Sequence, residues 1–124
     1  MTAPTGRRTP AQASGASAEE IAARYLGDQG LAIVARNYRT RFGEIDLVAL
    51  DGPTLVFVEV RRRSRDDYGD AAESVTTTKQ RRLEMAARQY LSTLPREPVC
   101  RFDVVALDSG QPSWIRAAFD AAPG

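Results

Sequence analysis

Two neighbouring segments, EIDLVAL (residues 44–50) and TLVFVEVRR (54–62), limit the fold more than anything else in the chain. Both read as strands, and the Asp51-Gly52-Pro53 turn between them marks a hairpin. Each is apolar on both sides: in the second, Leu55 and Phe57 point one way while Val56, Val58 and Val60 point the other. Strands covered on two faces sit in the middle of a sheet with further layers above and below. Glu59 interrupts that apolar run, between Val58 and Val60. A carboxylate there costs roughly several kcal/mol unless donors or a cation meet it.

The remaining segments supply the layers. Residues 1–16 are small, polar and proline-bearing, and read as a disordered N-terminal arm; 121–124 read as a short tail. Ser17-Ala18-Glu19-Glu20 is a capping box, with Ser17 as N-cap of a helix that runs to about Asp28 and buries Ile21, Ala22, Tyr25 and Leu26. A short strand follows at 31–38. A second helix runs from about Thr78 to Leu94, with Leu83, Ala87, Tyr90 and Leu94 along one side, and stops before Pro95. Strands at 99–107 and 113–119 complete the chain, the last on a sheet edge. The order α-β-β-β-α-β-β predicts one α/β domain over residues 17–120, a mixed central sheet with a helix on each face. A chain of 124 residues has room for one such core.

Composition removes several chemistries. With no histidine, imidazole bases and histidine zinc sites are excluded. One cysteine, Cys100, excludes an internal disulfide, fits a reducing compartment, and reads as a small buried residue rather than a nucleophile. Carboxylates, hydroxyls, arginines and a single lysine, Lys79, remain, so metal held by carboxylates leads among enzymatic options. No apolar run approaches the length of a membrane span, and Arg7-Arg8 is followed by polar residues rather than an export-signal core. The expected setting is the cytoplasm, away from membranes. Residues 36–65 carry seven arginines against four acids, a concentration suited to a polyanion and equally to solvated strand ends.

Alternation places Glu59 and Arg61 on one face, and the hairpin brings Asp46 near Glu59. Two converging carboxylates repel unless a cation lies between them, and hard oxygen donors suit Mg²⁺ or Mn²⁺. Equal weight falls on simple pairing, of Glu59 with Arg61, Arg63 or Lys79 and of Asp46 with another arginine. Asp103, in RFDVVAL, poses the same question, and Arg101 is its expected partner. Lys79 leans toward the sheet from a first helical turn, where the macrodipole opposes an ammonium. It either pairs with Glu59 or Asp46 or passes Leu83 into solvent. Tyr38, Tyr68 and Trp114 are too scattered for a stacking platform and read as core or rim aromatics.

GEIDLVA (43–49), VFVEVRRRS (56–64), VTTTKQRRL (75–83) and RFDVVAL (101–107), with EEIAARYL (19–26) and ARNYR (35–39), resemble the YraN family of small bacterial proteins across about residues 18–119. That family is described as endonuclease-like, within the PD-(D/E)xK superfamily and near the Holliday junction resolvases. The resemblance implies a restriction-endonuclease-like fold and a Mg²⁺ or Mn²⁺ site built from Asp46, Glu59 and the Val60 backbone carbonyl. It implies a helix glutamate at Glu19, with Glu20 the alternative register, and nucleic acid as partner, with branched or otherwise structured DNA expected. Resolvase relatives also imply a homodimer. The superfamily pattern has lysine where this chain has Arg61, and arginine cannot act as a base. Arg61 would then clamp phosphate, or Lys79 would supply the amine from the helix. Arg62, Arg63, Arg65, Arg81 and Arg82 are the expected phosphate contacts. Three readings stay open: a metal-dependent nuclease, a non-catalytic nucleic-acid-binding module of the same fold, and a structural or partner-binding protein.

Overall fold

The computed structural model describes residues 10–63 and 75–120, with side chains at 18–62 and 75–120. In chain order its elements are α1 (Pro10–Asp28), β1 (Ala32–Arg39), β2 (Glu44–Asp51), β3 (Thr54–Arg63), α2 (Thr77–Leu91), β4 (Cys100–Asp108) and β5 (Gln111–Phe119). This is the predicted order. The strands form one sheet, β1-β2-β3-β4-β5. All neighbours are antiparallel except β3 and β4, which run parallel. A parallel pair cannot be joined by a tight turn, and α2 lies on the connection.

Each helix covers one face, and the alternation in β3 decides which residues meet which helix. Val56 and Val58 join Leu47, Ala49, Val105 and Leu107 beneath Ala22, Ala23 and Leu26 of α1. Leu55 and Phe57 join Ile45, Val48 and Phe102 beneath Leu83, Ala86 and Ala87 of α2. Tyr38 and Tyr90 meet edge to face on that second side, and Tyr25 meets Trp114 on the first. Tyr38 and Trp114 are thus packing aromatics, as expected; Tyr68 lies outside the described residues.

Two expectations about the helices are corrected. Helix α1 begins at Pro10, so Ser17 lies inside it rather than at its N-cap, and residues 10–16 are helical. Proline fits the first helical position, where its missing N–H has no partner to lose. Glu20, instead of completing a capping box, is bound by Arg36 at 2.8 Å and Arg24 at 3.1 Å. Helix α2 starts one residue earlier than predicted, because Thr76 caps it by accepting the Lys79 backbone N–H at 3.2 Å. It ends at Leu91, three residues short of the predicted end.

Tight local devices fix the strands. The hairpin register pairs Asp51 with Thr54, and Gly52 takes φ +59° ahead of Pro53. A positive φ at the first of two turn residues is what the strand twist favours, and glycine adopts it without strain. Between β1 and β2, the Thr40 hydroxyl accepts the N–H groups of Phe42 and Gly43. On the far edge, β4 and β5 change register between Phe102 and Val104. Asp103, with no exposed surface, fills that irregularity: it accepts Arg101 Nε at 3.0 Å, Trp114 Nε1 at 2.9 Å and the Ala117 N–H at 2.9 Å. The expected Arg101 pairing holds, and Arg101 reaches on to Asp51 at 2.9 Å. No described helix is long and apolar enough to cross a membrane.

Candidate functional site

Asp46 and Glu59 of the central hairpin line one cleft where β2 and β3 part. Their ladder runs from Asp51↔Thr54 to Leu47↔Val58 and stops there, one step before Asp46 would face Glu59. The first residues of β2 stay with β1 instead, through Ile45↔Tyr38 and Glu44↔Arg39. Asp46 bridges the parting: its Oδ2 accepts the Val60 N–H at 2.8 Å. A side-chain oxygen thus satisfies an amide that β3 directs toward β2.

A cleft of about 560 Å³ opens at this point, lined by Glu19 of α1, Glu44 and Asp46 of β2, Glu59, Val60 and Arg62 of β3, and Lys79 and Arg82 of α2. Carboxylate oxygens of Glu19, Glu44 and Asp46 lie within 4.8 Å of one another. Burial pushes the Asp46 carboxyl up to about 7; the negative charge of Glu59 adds to the rise, the Val60 N–H opposes it, and Glu19 and Glu44 raise it further. A carboxylate so placed binds a proton near neutral pH unless a cation relieves it.

Glu59 is the most deeply set of these acids, with 4 % of its side chain exposed. Lys79 Nζ reaches it from α2 at 2.7 Å, and Arg61 Nη1 stands farther off at 3.8 Å. Of the alternatives open for Lys79, the structure takes the pairing, which also offsets the helix field acting on an ammonium in the first turn.

The expected residues separate accordingly. Asp46, Glu59, Glu19 and Lys79 come together in one cleft, and Glu19 rather than Glu20 is the α1 acid that faces it. Val60 contributes its N–H to Asp46. Arg61 shares Glu59 with Lys79 but does not line the cleft. Arg62 and Arg82 stand on the rim, while Arg81 lies on an adjoining depression with Thr77, Thr78 and Met85. Arg65 and the side chain of Arg63 lie outside the described residues. Glu44 was not expected. Its signal was the Glu44-Ile45-Asp46 spacing, two acids two apart at the start of a strand. Arg39 stands 3.4 Å from it.

Gly43 fixes how closely α2 approaches. A Cβ at this position would lie 3.1 Å from both the Cβ and the carbonyl oxygen of Arg82, closer than neighbouring atoms normally sit. Elsewhere, Cys100 is half-buried, and burial with the nearby Glu97 charge pushes its thiol pKa up, away from nucleophilic character.

Comparison with known proteins gives one consistent match. The model of the Uncharacterised protein family UPF0102 matches residues 18–107. A UPF0102 protein of Cupriavidus taiwanensis is 59% identical over 112 residues, covering 89% of this chain and 85% of that protein. One of Herminiimonas arsenicoxydans is 49% identical over 114 residues, covering 92% of each chain. One of Psychromonas ingrahamii is 49% identical over 107 residues, covering 85% of this chain and 88% of the relative.

Proposed function

The chain belongs to the UPF0102 family, and from that premise we propose that it is a metal-dependent endonuclease-like protein that binds nucleic acid and hydrolyses phosphodiesters, with structured or branched DNA as substrate. The observation that carries this reading is the gathering of Glu19, Glu44, Asp46 and Glu59 in one cleft rimmed by Arg62, Lys79 and Arg82. The resemblance to the YraN and PD-(D/E)xK nucleases supports it from the sequence side.

The donor set fits a hard divalent cation. The acids lining the cleft offer hard carboxylate oxygens, those of Glu19, Glu44 and Asp46 within 4.8 Å of one another, and Asp46 is held against its own charge by burial and by Glu59. Asp46 and Glu59 would hold Mg²⁺ or Mn²⁺, with Glu19 and Glu44 as further oxygens beside Asp46. When bound, such an ion supplies hydroxide near neutral pH and neutralises charge on the phosphate. The chain's own residues do the rest. Val60 orients the Asp46 carboxylate through its N–H, leaving the second oxygen for the cleft. Arg62 and Arg82 meet backbone phosphates, which sets position without reading sequence. Lys79 would meet the developing charge as an ammonium, with Arg61, beside Glu59 but not lining the cleft, as the alternative guanidinium.

The test is a Mn²⁺-dependent cleavage panel on duplex, flapped, four-way and single-stranded DNA, with Glu59→Gln alongside. Cleavage of at least one substrate by the wild type, lost in Glu59→Gln, is the expected result. A second reading rests on Arg61, which stands where the superfamily pattern has lysine: a binding module without turnover. It requires salt-sensitive DNA binding and no cleavage in the same panel. Absence of both activities removes both readings.

A further inference from the structure

We propose that Lys79 is a resident counter-ion of the acidic cleft: its ammonium and a divalent cation compete for Glu59, so that metal loading frees Lys79 from the pair. This rests on the reading above that Asp46 and Glu59 take such a cation. It adds a role for Lys79 in the metal-free protein.

The two partners are unequally held. Glu59 is fixed within a strand, its side chain 4 % exposed, whereas the Lys79 side chain is 46 % exposed and reaches in from outside at 2.7 Å. The backbone at Lys79 is anchored, its N–H donated to the Thr76 hydroxyl as part of the α2 cap. What can move is the four-carbon stem, whose rotatable bonds carry the ammonium without disturbing the helix. The helix field opposes a cation at this position, so contact with the acid is what retains it there. Arg61 at 3.8 Å leaves Glu59 a second positive neighbour when Lys79 departs.

An ammonium at 2.7 Å already stands against Glu59 Oε2. A dication coordinated by the same oxygen would meet it at close range, and like charges at that separation repel strongly in a partly buried site. At that oxygen the pair and the metal therefore exclude one another. Without metal, Lys79 offsets part of the negative charge of the four acids that line the cleft. With metal, that compensation passes to the ion, and the amine is released at the cleft where Arg62 and Arg82 stand.

The sequence offers a direct readout, because Lys79 is the only lysine in the chain. Wild-type protein is acetylated with a limiting amine-reactive ester, with and without saturating Mn²⁺, and modification at Lys79 is followed by mass spectrometry against the N-terminal amine. The expected result is a several-fold faster reaction at Lys79 with Mn²⁺ and no change at the N-terminus. An unchanged or slower rate overturns the proposal. Calorimetry with Mn²⁺ at pH 8 provides the second measurement. Lys79→Met is expected to bind about tenfold more tightly than wild type, and Asp46→Asn to lose binding. If Lys79→Met binds no tighter while Asp46→Asn still abolishes binding, competition is wrong and the metal reading survives. If neither wild type nor Lys79→Met binds Mn²⁺, both fall.

Discussion

Asp46 is the residue whose surroundings disagree most with its chemistry. Buried beside Glu59 and near Glu19 and Glu44, its carboxyl is raised from 3.8 to about 7. The folded protein therefore binds a proton there that the unfolded chain has released. Stability from this group is complete below about pH 3.8 and is lost as pH rises toward 7. The slope approaches about 1.4 kcal/mol per pH unit within that window. Denaturation of wild type and Asp46→Asn across pH 4–8 should show the variant gaining on the wild type as pH rises; a constant difference would contradict this account. At this scale the sequence was informative wherever one residue broke a pattern. Glu59 and Asp103 stood out as acids in apolar strands, and each has partners, Lys79 and Arg61 for one, Arg101, Trp114 and Ala117 for the other. Glu44 was hidden because an acid beside a glycine at a strand start looks like ordinary solvent-facing polarity.

Among the elements, periodicity was the most legible signal. Two-faced strands specified a covered sheet, and both helices took the expected faces. Element ends were harder to read. A capping box signals a local preference, yet the chain before Ser17 continues the helix back to Pro10, because a helix start depends on what precedes it as well as on its own side chains. The edge position of β5 was legible, but not how Asp103 holds it there. Ala117 sits at φ 50°, a conformation non-glycine residues seldom adopt, and its N–H is held by Asp103. Asp103→Ala strips Arg101 of one acid and leaves the Trp114 and Ala117 donors unmet. A loss of about 3–5 kcal/mol is expected in chemical denaturation, with Trp114 fluorescence reporting the change at β5. A cost below about 1 kcal/mol would mean that the bulge stands without its acid.

At the level of the whole molecule, the cleft draws on α1, β2, β3 and α2 together, so no fragment of the fold contains it. The alternating pattern could place Asp46 and Glu59 near one another, but not the way both helices converge on one end of the sheet. If the proposed nucleic-acid binding is correct, its affinity falls with salt. Replacing Arg62 and Arg82 by alanine then lowers the slope of log affinity against log salt by about one for each phosphate that is no longer neutralised. Fluorescence anisotropy over a salt series measures it. An unaltered slope would move the binding surface elsewhere on the chain.

Gly43 has a consequence for the bore of this opening. The helix bearing Lys79 and Arg82 rests directly on a backbone with no side chain, so its stand-off from the sheet is gauged by a missing methyl group. One added carbon at that fulcrum would oblige the cationic wall at Arg82 to yield by about a few tenths of an ångström, with every charged residue still in place.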